Sequence, residues 1–285
     1  DLARIKALRV ISRTSAMKYK ESEKSLPEIA RELNVDAVLE GSALLIGNRV
    51  RVSVQLVSAR ADETLWSDRY DRQLEDVLGL QSELAETVAR EIAIQLTPTE
   101  ATQLAKRAAV NPEAHLELLK SRHMSAEGSP QAVELALKHA QRALELDPNV
   151  AAAWSALAEC HALRASRGMA PPAEAIGEAM AAARRALDLD PADAAAHTAL
   201  GVTLLHSGDT AGALRALQKA IELNPGQASA YSRLGRALYA YERHDEALAA
   251  MNKSARLDPL SMLIRTGVGD AYYYAREYEK SVFHY

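Results

Sequence analysis

The residues with the strongest reactive potential in this sequence are Glu159, Cys160 and His161, which place a carboxylate, a thiol and an imidazole side by side. A thiol nucleophile needs an imidazole within hydrogen-bonding reach. Consecutive side chains of a helix point about 100° apart, so Cys160 and His161 would not face each other. We therefore interpret both as packing residues and keep hydrolysis at this pair as the least favoured hypothesis.

Other motifs that carry chemistry do not occur in the sequence. There is no Gly-x-x-x-x-Gly-Lys-Ser/Thr phosphate loop, no Gly-x-Ser-x-Gly elbow and no His-Glu-x-x-His zinc motif. Cys160 is the one cysteine, so no intramolecular disulfide or Cys-x-x-Cys pair can form. We predict a non-enzymatic chain with no catalytic residue, no metal site and no cofactor.

The composition indicates a globular protein without a charge excess that would attract a polyanion. Of 285 residues, 34 are Lys or Arg and 38 are Asp or Glu, which gives a net charge of −4. The basic residues Lys18, Lys20 and Lys24 alternate with acidic ones, so we expect no nucleic-acid binding by this region. No run of 18 or more apolar residues occurs, so we expect no membrane span in it.

Length and chain start bear on domain organisation. At about 100 to 200 residues per domain, this length predicts two domains. The chain begins with Asp1 rather than Met, so we expect a fragment or a processed form. Its compartment and its oligomeric state stay open, a homo-oligomer included.

A repeat of about 34 residues runs through the second half of the chain. Four apolar-periodic helices each end at a proline, and these prolines are 43, 34 and 34 residues apart: Pro148, Pro191, Pro225 and Pro259. Proline stops one helix and directs the chain into the next, so each unit reads as a helical hairpin. Small residues recur where the two helices must approach closely.

These units resemble the tetratricopeptide (TPR) repeat family, whose pattern sets a bulky residue, Leu-Gly, an aromatic residue and three small or bulky residues at fixed offsets. Two repeats carry the pattern most fully, at His197, Leu200, Gly201, Leu204, Ala213, Leu217 and Ala220, and at Tyr231, Leu234, Gly235, Leu238, Ala247, Met251 and Ser254. The resemblance implies an all-α superhelix with repeats at 113–148, 149–191, 192–225 and 226–259 and a partial repeat at 260–285.

Two repeats depart from the family pattern. The first has Ser121-Arg122 where Leu-Gly belongs. The second has nine extra residues, which we assign to the loop at 166–173 because Gly168 and two prolines there interrupt a helix. We interpret this insertion as a tolerated loop extension.

The TPR resemblance also implies a concave groove, lined by the first helix of each repeat, that binds a protein or peptide. By register the groove residues are Ser155, Glu159, Thr198, Val202, Ser232, Arg233, Arg236, Tyr239, Asp270 and Tyr273. The Lys/Asn/Arg clamp that some TPR proteins use for a terminal carboxylate is absent from the first two of these repeats. Arg233 and Arg236 remain able to bind one carboxylate, although exposed helix arginines more often only raise solubility.

The first hundred residues predict an α/β domain. A strand is expected at Leu8 to Thr14, and Ser25 and Glu28 form a capping box that opens a helix ending at Asn34. Gly47-Asn48 joins two strands into a hairpin with one solvated face. A further strand at 64–70 and an amphipathic helix before Pro98 follow, and we expect this helix to cover the apolar face of the sheet. Trp66 and Tyr70 share one face of that strand and are interpreted as packing residues.

Five segments of this region resemble the TolB-like amino-terminal domain of bacterial signalling proteins. They lie at 10–15, 30–41, 47–51, 65–70 and 76–81. The resemblance implies a partial α/β sheet with two covering helices over residues 1–97 and a linker at 98–112. The family begins with a further strand and helix that this sequence lacks, so we expect an exposed sheet edge.

The two resemblances imply a regulatory or sensory role. TolB-like domains commonly precede TPR repeats and follow a winged-helix, serine/threonine kinase or class III cyclase domain, often with a membrane helix between, which would place this region outside the cytoplasm. Our first hypothesis is therefore a protein-interaction module that biases such an effector. The second is a stand-alone adaptor or chaperone-like scaffold.

Overall fold

The chain forms two compact units, Asp1–Ala109 and Val110–Tyr285. The computed structural model describes residues 2–20, 22–59, 61, 63–73, 76–92, 97 and 111–284, apart from the side chains of 77 and 78. The fold-class prediction is confirmed: an antiparallel three-stranded sheet with helices comes first, and a TPR-like series of paired helices follows. Most of the predicted linker lies outside the described residues, so its bounds stay a prediction.

Among the described residues, the α-helices of the first unit are α1 (Arg13–Ala16), α2 (Leu26–Leu33) and α3 (Val77–Glu91). The predicted capping box is present, with the backbone N–H of Ser25 donating to Glu28 at 2.9 Å. Helix α2 buries Ile29, Ala30 and Leu33 on one face and ends at Asn34, whose φ is +51°. Local capping signals therefore set both ends of this helix.

The sheet has the order β1-β2-β3, with β1 at Ala37–Ile46, β2 at Arg49–Ser58 and β3 at Thr64–Gln73. Gly47, with φ of +58°, makes the hairpin turn, and the register places Leu45 opposite Val50. Alternation holds along β2, where Leu56 is buried and Arg51 is exposed. The predicted hairpin with one solvated face is confirmed.

The predicted strand at Leu8 to Thr14 is wrong. The sheet that the structure describes has no strand there, and Arg13–Ala16 instead begins a short helix capped by Ser12, whose hydroxyl accepts from the N–H of Ser15. Leu8 packs on Ile5 rather than on a strand. A β-branched run becomes a strand only where a neighbouring strand supplies hydrogen-bond partners, and none pairs with this segment.

Helix α3 packs on β3 and on the start of the chain. Its buried apolar residues are Leu80, Ala85, Val88 and Ala89. Ala85 and Ala89 contact Ile5, and Glu83 pairs with Arg72 of β3 at 3.4 Å. The predicted apolar positions at 74 and 96 and the side chains of 77 and 78 lie outside what the structure describes.

The second unit consists of five antiparallel helix pairs. Their bounds are α4 Pro112–Glu127 and α5 Pro130–Leu146, α6 Ala151–Ser166 and α7 Pro172–Leu189, α8 Ala194–His206 and α9 Thr210–Leu223, α10 Ala228–Tyr239 and α11 His244–Leu257, and α12 Met262–Tyr274 and α13 Tyr278–His284. The four repeat prolines each follow the second helix of a pair, as predicted.

Small residues mark the line where the two helices of a pair touch. A Cβ placed on Gly201 would lie 2.6 Å from the Cγ of Leu217, well inside the van der Waals contact distance of two carbon atoms. In the first pair the fully buried Ser121 donates to the carbonyl of Ala136 at 2.8 Å. Ser121, rather than the exposed Arg122, therefore stands where the family has glycine, which corrects our alignment by one residue.

The nine extra residues of the second repeat do not all lie in the loop, as we expected. Helices α6 and α7 have 16 and 18 residues, against 13 and 14 for α8 and α9. The predicted break is present, because α6 ends at Ser166 and Gly168 has a φ of +66°. Most of the insertion lengthens both helices, since a longer pair buries additional alanine contacts.

We predict that Gly201→Ala destabilises the second unit by about 1–3 kcal/mol, because the added methyl group forces α8 away from Leu217. The matched control is Gly177→Ala on α7, where nothing lies within 4 Å of the new Cβ and a gain of about 0.5–1 kcal/mol is expected. Urea unfolding followed by circular dichroism measures both. Equal effects of the two substitutions would contradict the close-contact explanation.

Candidate functional site

The structure divides the ten predicted groove residues into a buried and an exposed group. Ser155, Thr198, Val202 and Ser232 are buried. Ser155 donates to the carboxylate of Asp193 at 2.6 Å, and Val202 packs with alanines of α6 and α7. All four side chains are therefore buried away from a partner.

The cause of this burial is the side-by-side packing of the first helices of successive pairs. Asp193 caps α8 by accepting from the N–H groups of Ala195 and Ala196, and it also accepts from Ser155 of α6. Thr198 of α8 likewise accepts from Gln227, which precedes α10. In both contacts, a hydrogen bond between polar side chains therefore connects one helix pair to the next.

The remaining predicted residues are accessible: Glu159, Asp270, Arg236 and Tyr273 are exposed, and Arg233 and Tyr239 are half-buried. We call these six residues the groove surface. Glu159 is the only exposed residue between positions 153 and 162, all of which the structure describes. Its carboxylate projects from the one open side of α6.

Electrostatic interactions join the groove-surface residues of different helices. The surrounding protein raises the pKa of Glu159, while the positive charges of Arg233 on α10 and Arg122 on α4 oppose that rise. Burial lowers the pKa of Arg233, and the neighbouring Arg236 lowers it further, against the effect of Glu159. Arginines from two helices on either side of α6 therefore share one carboxylate.

Charges elsewhere on the helix pairs are compensated locally. Five ion pairs join a basic residue to an acidic one three positions away: Lys120–Glu117 at 2.6 Å, Arg142–Glu145 at 2.8 Å, Lys219–Glu222 at 3.0 Å, Arg243–Glu246 at 2.6 Å, and Lys280–Glu277. Among the described residues, Arg233 and Arg236 form no such pair.

Tyrosines continue the groove surface beyond the arginines. The ring of Tyr239 lies 5.4 Å from that of Tyr274, and Tyr273 lies 5.6 Å from both Tyr274 and Tyr278. Burial, followed by the charge of Asp270, raises the pKa of Tyr239 to about 12, so its hydroxyl stays protonated. The cluster offers large rings with hydroxyl groups beside a positive patch.

Sequence analysis missed Arg122, Arg167, Tyr274 and Tyr278 as neighbours of this surface. The TPR register gives one face of each first helix, but Arg167 follows α6 and Tyr278 begins α13. Arg122 directly follows Ser121 and so has the register of Arg236, which directly follows Gly235; the one-residue misalignment of the first repeat hid it.

Cys160 and His161 have packing roles in the structure. Cys160 is fully buried in the core of the second unit, and burial raises the pKa of its thiol to about 12. The Nδ1 atom of His161 lies 2.8 Å from a carboxylate oxygen of Glu178, so this nitrogen pairs with a carboxylate and not with the Cys160 thiol. The hypothesis of hydrolysis at this pair is wrong, because a substrate cannot reach the sulfur atom.

The rest of the described chain offers little chemistry. No cluster of three or more His, Cys, Asp or Glu side chains in the described ranges could hold a metal ion. An open depression of about 670 Å³ lies on the polar face of the sheet, where Gln55 donates to Glu40 beside Ser42 and Arg69. In the described part of the chain, no helix has the length and apolarity needed to cross a bilayer.

Comparison with known families and proteins supports TPR repeats in the second unit. Two tetratricopeptide-repeat family models match residues 173–228 and 204–262. The chain is 35% identical over 157 residues to "Putative adenylate cyclase 3" of Rhizobium meliloti (strain 1021). That stretch is 55% of this chain and 27% of the relative, so the chain spans about a quarter of the relative's length.

Solved structures with similar helical repeats include a thermophilic TPR protein of Thermus thermophilus, which is 20% identical with a TM-score of 0.48 and covers 70% of this chain and 99% of its own. YrrB, described as a TPR protein with an unusual peptide-binding site, is 25% identical with a TM-score of 0.39. The match covers 65% of this chain and 87% of the YrrB chain. Both scores are below 0.5, so neither structure bears on what this chain binds.

We predict that Ser155→Ala lowers the free energy of unfolding by about 1–2 kcal/mol, because it removes a buried hydrogen-bond donor to Asp193. Ser229→Ala, at an exposed position of α10, should change it by less than about 0.5 kcal/mol. Denaturant unfolding compares the two variants. An unchanged midpoint for Ser155→Ala would show that this hydrogen bond contributes nothing.

We also predict that the Cys160 thiol of the folded chain does not react with dithionitrobenzoate at about pH 8, because the thiolate is the reactive form. In guanidinium chloride the same chain should release one thionitrobenzoate per molecule. Rapid release from the folded chain would contradict the buried position of Cys160.

Proposed function

We propose that this chain is a non-enzymatic regulatory or sensory part of a bacterial signalling protein and that its groove surface binds a protein or peptide. The groove surface carries the proposal, because it presents arginines without ion-pair partners beside a tyrosine cluster. Arginine and tyrosine are the residue types that most often dominate protein interfaces.

The signalling context is supported by the stretch shared with the relative named an adenylate cyclase. TPR repeats imply protein or peptide binding, and no catalytic domain is evident in the part of this chain that the structure describes. We infer that, if the parent protein is a cyclase, its catalytic activity belongs to a segment other than these 285 residues. The stand-alone scaffold hypothesis has no comparable support.

We further propose that residues 1–97 belong to a TolB-like domain. The hairpin β1–β2, the helix α2 and the strand β3 occur in the order that the family pattern has. Four large apolar residues of the edge strand β1 are exposed, which fits a sheet with an unpaired edge: Leu39, Leu44, Leu45 and Ile46. The domain bounds 1–97 and 113–285 belong to this proposal.

A pull-down from a bacterial lysate tests the groove. The bait is the whole chain, and the variant combines Arg233→Glu, Arg236→Glu and Tyr239→Ala. The matched control, Arg184→Glu with Arg185→Glu, changes two exposed arginines on α7, the second helix of its pair. We expect a partner, identified by mass spectrometry, that the parent and the control retain and the groove variant loses.

Circular dichroism of each bait verifies that the variants are folded. If the folded groove variant retains every captured protein, the groove surface is not the binding site. If the control loses the same partner, the effect reflects total charge rather than this surface.

A further inference from the structure

Positive charge gathers around Glu159 from several helices. Arg122 of α4 and Arg233 of α10 both interact with its carboxylate, and Arg233 in turn interacts with Arg236 and Arg167. Burial lowers the pKa of His206 at the end of α8, and the positive charges of Arg233 and Arg236 lower it further. This local excess of positive charge stands out in a chain whose net charge is −4.

Among the described residues, neither Arg233 nor Arg236 has an ion-pair partner. No carboxylate of the described residues lies within the 4 Å ion-pair distance of either guanidinium group, and the charge of Glu159 acts on both Arg233 and Arg122. The other acidic residue of the groove surface, Asp270, interacts with Tyr239. A ligand that supplied carboxylates here would relieve repulsion between arginines.

The spacing of the groove residues defines the shape of a suitable ligand. Arg233, Arg236 and Tyr239 are three residues apart on α10, so they form one line along the helix. Guanidinium groups in such a line match carboxylates one or two residues apart in an extended peptide. The tyrosine rings at the end of the line offer a contact for an apolar side chain of the same peptide.

We propose that the groove surface binds a protein segment rich in aspartate or glutamate, whose carboxylates pair with Arg233 and Arg236 in competition with Glu159. This inference rests on the proposed function and adds the chemistry of the partner. Glu159 then limits affinity: it holds the arginines in place without a ligand and repels the ligand's carboxylates.

The test uses the 285-residue chain and a short fluorescein-labelled peptide of alternating glutamate and leucine. Matched peptides carry glutamine or lysine in place of glutamate. Fluorescence anisotropy at constant ionic strength should show the glutamate peptide binding about tenfold or more tightly than the glutamine peptide. Added salt should weaken only the glutamate peptide.

The variants test the acidic and the basic residues of the groove surface separately. Glu159→Gln, at an exposed position, should tighten binding of the glutamate peptide by about two- to fivefold, since a repelling carboxylate is removed. Arg233→Gln with Arg236→Gln should weaken it by about tenfold or more, since the pairing groups are lost. Arg184→Gln with Arg185→Gln on α7 should leave it unchanged.

Several results would overturn the inference. Tighter binding of the lysine peptide than of the glutamate peptide, lost in Glu159→Gln, would mean that the ligand is basic and pairs with this carboxylate. Equal binding of the glutamine peptide, lost in the arginine variant, would preserve a peptide groove but remove its acidic preference. Tighter binding of a labelled single-stranded DNA would make a nucleic acid the occupant. If no peptide binds, the acidic chemistry is wrong, while the lysate pull-down still decides the proposed function.

Discussion

The close contact between the two helices of each pair is the constraint on which the second unit depends. Fully buried alanines line this contact in α5 and α7: Ala136, Ala140, Ala143, Ala179, Ala183 and Ala186. Alanine loses no side-chain entropy on burial and lets helix axes approach closely. Because each pair has one tight side, the orientation of every other residue on its helices follows from helical spacing.

That orientation also separates two kinds of charged residue. At five places along the helix pairs, acidic and basic residues three positions apart neutralise each other, as Arg142 and Glu145 do, and such exposed pairs contribute little to stability. On the groove surface, Glu159 and Arg233 belong to different helices, and their charges interact only because the helices pack together. A pair of this kind exists only when the helices are stacked, so it reports on the assembled array.

The first unit shows where local sequence signals are sufficient and where they are not. The capping box at Ser25 and the turn at Gly47 fix the phase of α2 and of the β1–β2 hairpin without help from distant residues. The run from Leu8 to Ser12 also contains residues that favour a strand, as the β1–β2 hairpin does. No strand of the described sheet pairs with this run, so it stays irregular. Strand formation needs a partner, whereas a capped helix supplies its own hydrogen bonds.

The sequence by itself determined the helix pairs, their prolines and the small residues between them, because these depend on spacing within a few turns of one helix. It could not decide which groove positions are open. Ser155 and Glu159 have the same register, yet Ser155 is buried by Asp193 of the next repeat, while Glu159 is exposed. Burial of a helix face depends on neighbours about 40 residues away, which only the tertiary structure specifies.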